Sequence, residues 1–162
     1  LIQNIDAFSN DSILIAATNH HELLDPAIWR RFTTIVSLEK PQKGEIERLL
    51  TILLTDKENN FMGNERKLNG VIDALFGFSH SDIKTVTFNA IREVILSGRS
   101  SLTNCDILKS IFFYKNHAIE NEDDLIEYLL KNGVTHKEIN DSLAIPLRRI
   151  QGISKNLDRK EL

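Results

Sequence analysis

Cysteine is nearly absent: 162 residues contain one, Cys105. That excludes an internal disulfide and argues against a thiolate metal site, which draws on several cysteines. A reduced, cytoplasmic setting fits this usage. No apolar run approaches the ~18 residues that a membrane span needs, and the first residues lack the charged and apolar regions of a secretory signal. A positive excess is missing too, since 20 Lys and Arg stand against 23 Asp and Glu for a net charge of -3. Any nucleic-acid-binding surface must therefore be local. His20, His21, His117 and His136 lack metal-ligand spacing, so no metal site is expected. No GxxxxGK[ST] phosphate loop occurs, and the acidic run Glu122, Asp123, Asp124 follows no apolar strand that would make it a magnesium-holding site. The chain alone should not hydrolyse a nucleoside triphosphate. It starts at Leu1 and has a single methionine, Met62, so it is expected to be a piece of a longer product.

What is present is organised around Ile13 to Phe32, ILIAATNHHELLDPAIWRRF. Ile13 to Ala17 is a continuous apolar run without helical spacing, which predicts a strand covered on both faces in a parallel sheet. Thr18 and Asn19 sit at its carboxyl end, where open α/β sheets bind ligands. Asp25 and Pro26 read as a cap and first-turn proline of a short helix that ends in Arg30 and Arg31. Thr33 to Leu38, rich in β-branched residues and closed by Lys40 and Pro41, predicts a second strand. Upstream, Leu1, Ile2, Ile5 and Phe8 recur at helical spacing, and Asn10 to Ser12 make a turn. From Gln42 onward the period is helical throughout.

AATN and LDPAIWRRF resemble the sensor-1 strand end and the arginine-finger segment of the AAA ATPases, ring-forming motors that couple ATP hydrolysis to remodelling of proteins or nucleic acids. The resemblance implies that Asn19 orients the attacking water and contacts the γ-phosphate, and that Arg30 or Arg31 reaches the nucleotide of a neighbouring subunit. The family usually has a Pro-Gly pair between its two arginines, whereas here they are adjacent. Arg31 keeps the position directly before the phenylalanine and is favoured as the finger. Residues 1–38 then correspond to the second half of a parallel-sheet, phosphate-loop nucleotide-binding subdomain, and the missing half must come from the parent polypeptide or a second chain. ATP and Mg2+ are implied for the complete assembly, as is a homo-oligomeric ring.

Residues 41–120 predict four helices. The first carries Ile46, Leu49, Leu50, Leu53 and Leu54; the second Leu68, Val71, Ile72, Leu75 and Phe76, closed by Gly77. The third, capped by Ser79 or Ser81, carries Ile83, Val86, Thr87, Ala90, Ile91, Val94 and Ile95; the fourth starts near Asn104 with Ile107, Leu108, Ile111, Phe112 and Tyr114. Four such helices look like the lid of the AAA family, and GFSHSDI resembles its G-x-S-G-A-D-I signature, with His80 and Ser81 in place of glycine and alanine. The resemblance carries adenine contacts to His80 and Ser81 and to Leu49 and Leu53; as residues alone they read equally as a helix cap and ordinary core.

Residues 122–162 predict three short helices that look like a helix-turn-helix, with Ile139, Leu143, Ile145, Ile150 and Ile153 at the crossing and Asn140 and Ala144 where alanine and glycine are usual. Arg148, Gln151 and Lys155 would face a DNA major groove, with Arg149 near phosphates. Tri-helical modules also bind proteins, so the partner is left as DNA or protein. The rival to an ATPase part is a non-catalytic DNA-binding or adaptor module with a degenerate AAA-like part.

Overall fold

The computed structural model describes residues 12–116 and 121–160, and the helix expected over the first eight residues lies outside them. The chain divides into two compact units, Leu1–Glu39 and Lys40–Leu162.

The first unit overturns the expected remnant of a parallel sheet. Neither Ile13 to Ala17 nor Thr33 to Leu38 forms a strand, and among the described residues the only bridge is the isolated one between Asn59 and Leu102. The protein is essentially all-α. A β-branched run records a local preference, but a strand exists only when neighbours satisfy its amides and carbonyls. Residues 13–17 and 33–38 have no such ladder, and their side chains stand out: Ile13 is 90% exposed and Leu38 93%. What the unit does form is a 3-10 turn, His21–Leu23, and helix α1, Pro26–Trp29. Asp25 opens α1 by accepting from the Ala27 amide at 2.7 Å, ahead of a proline whose missing N–H costs nothing there.

Among its described residues the second unit holds seven helices: α2 (Lys43–Leu53), α3 (Glu65–Leu75), α4 (His80–Leu96), α5 (Asn104–Asn116), α6 (Glu122–Lys131), α7 (His136–Leu143) and α8 (Leu147–Lys160). Their starts are set by side chains that take up amides left without an intrahelical acceptor. Asn64 Oδ1 accepts from Lys67 at 3.2 Å and Asn121 Oδ1 from Asp123 at 3.1 Å. Ser79 with Asp82, and Thr135 with Glu138, close reciprocal capping boxes. Ser79, not Ser81, is therefore the cap of α4. The ends are set by backbone that turns left-handed: Gly77 (φ +88°), Gly98 (φ +71°) and Gly133 (φ +81°) follow α3, α4 and α6. Ala144 does the same after α7 at φ +55°, although its Cβ disfavours that conformation. Asn140 holds the turn by donating from Nδ2 to the Ile145 carbonyl at 2.7 Å.

The apolar stripes bury largely as their spacing predicts, with three differences, one of them Tyr114 of α5, which is exposed. Phe76 falls just past α3 and is 52% exposed, and Ile95 points outward at 60% exposure while Val94 takes the core. One continuous core runs from Ile46 on α2 to Ile153 on α8. The last three helices are thus packed on the preceding four rather than tethered to them. Lys67 Nζ of α3 meets Glu138 Oε1 of α7 at 2.5 Å, both side chains largely covered. Gly70 of α3 lies so close to the turn after α6 that a Cβ there would sit 2.5 Å from the Asn132 carbonyl oxygen. Cys105 is buried in this core, and burial pushes its thiol up to about 11.

Candidate functional site

The first group of expected site residues lies in the first unit. Asn19 sits in an exposed bend, where His20 N–H donates to Thr18 Oγ1 at 3.0 Å. Arg30 and Arg31 follow the last turn of α1 and are exposed. Arg31 donates from Nη1 back to the Ala27 carbonyl at 2.7 Å, which draws its guanidinium along the helix, whereas Arg30 is the C-cap residue. Trp29 beside them is half-buried.

The second group lies where α4 begins. His80 and Ser81 are its first two residues and both are exposed, and their amides come too early in the helix to have an intrahelical acceptor. Leu49 and Leu53, one turn apart on α2, are half-buried against the core, and α2 packs on α4. The four thus stand on two packed helices, the leucines as a partly exposed apolar pair and His80 and Ser81 with first-turn amides. Among the described residues, no cluster of three or more His, Cys, Asp or Glu side chains could hold a metal ion.

The Ser79 to Asp82 cap carries a feature that the sequence reading missed. Tyr114 of α5 donates its hydroxyl to Asp82 Oδ1 at 2.6 Å, while Ser79 Oγ donates to Oδ2 at 2.8 Å. The tyrosine bond first, then the serine bond, hold the Asp82 carboxyl below its usual range against a smaller opposing effect of burial. The S-x-x-D spacing encodes the cap, but the tyrosine arrives from a distant helix. A second polar knot fixes the α4–α5 connection. Arg99 grips Asp106 with both terminal nitrogens, at 3.1 and 2.7 Å, and Thr103 donates to the same carboxylate through its amide and hydroxyl. Between these knots runs a groove of about 1100 Å³, lined among others by Phe78, Asn89, Arg92, Lys109 and Phe113. None of Leu49, Leu53, His80 and Ser81 lines it, so the expected adenine contacts and this groove are different places.

The third group is on α8. Ile150, Ile153 and Leu157 face the core, which leaves Arg148, Gln151 and Lys155 exposed on the opposite side. Arg149 is committed elsewhere. Its guanidinium is held by Glu122 and by Asp123 Oδ1, the latter at 2.6 and 3.2 Å, so it staples the start of α8 to the start of α6. That pairing, with Asp123 first, raises the arginine's pKa further. To meet a phosphate, Arg149 would have to leave two carboxylates; Arg148, Gln151 and Lys155 have no hydrogen-bond or ion-pair partner to leave among the described residues.

Known proteins with similar sequences share much of this chain. The ATP-dependent zinc metalloprotease FTSH 7, chloroplastic, of Arabidopsis thaliana is 31% identical over 110 residues, 65% of this chain and 13% of that protein. The uncharacterized AAA family ATPase y4kL of Sinorhizobium fredii is 31% identical over 111 residues, 68% of this chain and 32% of its own length. The proteasome-activating nucleotidase of Saccharolobus solfataricus is 34% identical over 116 residues, 68% of this chain and 28% of its own. The chain is homologous to these ATPases but spans a third of their length or less. No protein-family profile matches it, and no solved structure matches it significantly. No described helix is long and apolar enough to cross a membrane.

Proposed function

We propose that this chain is part of an AAA family ATPase that couples ATP hydrolysis to remodelling of a protein or nucleic-acid partner. The observation that carries the reading is the homology, 31% identity over 68% of the chain with an AAA family ATPase. In this reading residues 1–38 belong to the nucleotide-binding subdomain, 41–120 form the helical lid, and 122–162 are a helix-turn-helix-like module that contacts DNA or a protein. ATP and Mg2+ bind the full-length assembly, with the phosphate loop supplied outside these residues.

The roles follow from chemistry. Asn19, a neutral donor and acceptor in an exposed bend, orients the attacking water and bonds the γ-phosphate. Arg31, or Arg30 beside it, acts on the nucleotide of the adjoining subunit, where a fixed guanidinium offsets charge that develops on the transferring phosphoryl group. The capped, proline-started α1 supports this role because it gives the arginines a defined point of departure. Leu49 and Leu53 cover the base, and the first amides of α4, at His80 and Ser81, meet its edge. An imidazole in a position that would otherwise hold glycine narrows the space left for that base.

Arg31→Ala in the full-length protein tests the reading. ATP turnover should fall by about a thousandfold, as arginine-finger losses do in other phosphoryl-transfer enzymes, while nucleotide affinity stays the same. Normal turnover by a purified, folded variant removes the finger assignment. A full-length protein that neither binds nor hydrolyses ATP favours the non-catalytic adaptor.

A further inference from the structure

α8 contains a glycine for which the fold itself has no use. Gly152 is the sixth residue of a 14-residue helix, its φ is not left-handed, and a Cβ built on it meets nothing within 4 Å. The other glycines differ: Gly70 is demanded by a close backbone contact, Gly77, Gly98 and Gly133 by positive φ, and Gly44 and Gly63 lie in a first helical turn and a loop. A mid-helix glycine weakens a helix relative to alanine, so its presence at an open position points to something that approaches from outside. Gly152 is exposed and lies one turn from Arg148, beside Gln151 and three residues before Lys155, so the four make one patch on the face opposite Ile150, Ile153 and Leu157.

We propose that the α8 patch of Arg148, Gln151, Gly152 and Lys155 is a docking surface for duplex DNA, with Gly152 its point of closest approach. This rests on the reading of residues 122–162 as a partner-contacting module and names the partner. Three observations favour DNA over a protein. Among the described residues the two cations have no carboxylate partner, so they complement an anion without first giving one up. The patch has no large apolar anchor of the kind that centres protein interfaces; Leu147 is the only large exposed apolar residue of α8 with a described side chain. The Arg149 staple to Glu122 and Asp123 fixes how α8 sits on α6, so the patch is presented outward in one orientation. Arg148 and Gln151 have the donor and acceptor sets that read base edges, Lys155 suits a phosphate, and the missing Cβ lets the helix sit deeper in the groove.

The test is binding of a fluorescein-labelled duplex to the 162-residue chain by anisotropy between about 50 and 200 mM salt. The wild type should bind with affinity that falls steeply as salt rises. Lys155→Ala should lower the slope of log K against log salt by about one, and Arg148→Ala, which removes a base contact, should weaken binding by about tenfold or more. Gly152→Ala should raise Tm by about 3 °C yet weaken binding at least tenfold. No binding at the lowest salt, wild-type affinity in Gly152→Ala, or a polyglutamate peptide binding as well as the duplex would overturn the proposal, the last by assigning the patch to an acidic protein. Failure here leaves turnover of the full-length protein untouched, and loss of the finger assignment leaves DNA binding untouched, so the two readings fail separately.

Discussion

Gly70→Ala is the sharpest probe of how the seven helices of the second unit hold together. The added methyl would meet the Asn132 carbonyl oxygen at 2.5 Å, whereas ordinary contact lies at 3.4 Å or beyond. Either α3 or the turn after α6 must therefore retreat by close to 1 Å. Neither retreats freely, because Lys67 on α3 is bound to Glu138 on α7, and Leu68, Val71 and Ile72 flank the glycine in the core. Forcing a methyl into such packing costs about 1–3 kcal/mol. Alanine in mid-helix returns about 1 kcal/mol through its propensity, so the net loss should lie at about 0–2 kcal/mol, which leaves Gly70→Ala about 1–3 kcal/mol below a mid-helix exchange that meets nothing. For a domain of this size the net loss is a fall in Tm of up to about 8 °C. Circular dichroism on heating and urea titration would measure it, with Gly152→Ala as the control: the same exchange, in a helix interior, without a neighbour to strike. If Gly70→Ala gains as much stability as the control, the contact between α3 and the α6–α7 turn is not the constraint argued here.

Ala144→Gly should stabilise the protein by about 1 kcal/mol, because Ala144 holds φ +55° against its own Cβ and glycine does not; a fall in the urea midpoint would contradict that account. Stability should also depend on acid through Glu138. Burial pushes its carboxyl up, but bonds from Lys67 and Thr135 together outweigh it and leave the pKa lowered. A carboxyl with a depressed folded-state pKa contributes stability that is whole above its unfolded pKa and lost as pH falls through the folded one. Lys67→Met should therefore lower stability at neutral pH and make the decline below about pH 5 shallower than in the wild type, as read from urea midpoints across pH. Parallel acid limbs in the two proteins would refute the assignment.

The helices were legible because their signals are local. Ile46 and Leu50, or Ile83, Val86 and Ala90, repeat at the helical period, and Ser79 with Asp82 or Thr135 with Glu138 spell out capping boxes four residues long. The two strands were misread for the opposite reason. The apolar run Ile13 to Ala17 and the β-branched Thr33 to Leu38 state a preference that only a partner can realise, and pairing is not written in the run itself. Contacts that close through space were invisible as well: Tyr114 on Asp82, Arg149 on Glu122 and Asp123, and Asn132 against Gly70. Arg149 shows the consequence for site prediction. Its type suited a phosphate, but two nearby carboxylates had already claimed it. Gly152 stood in the sequence without drawing notice, since an open glycine is informative only once its surroundings are known to be empty.

The unbroken core from Ile46 to Ile153 would let the second unit work as a crank. Among the described residues buried contacts run continuously from α4 to α8, so a rotation imposed at one end would carry the other through an arc. A load pulling on Lys155 would then oppose that rotation at His80.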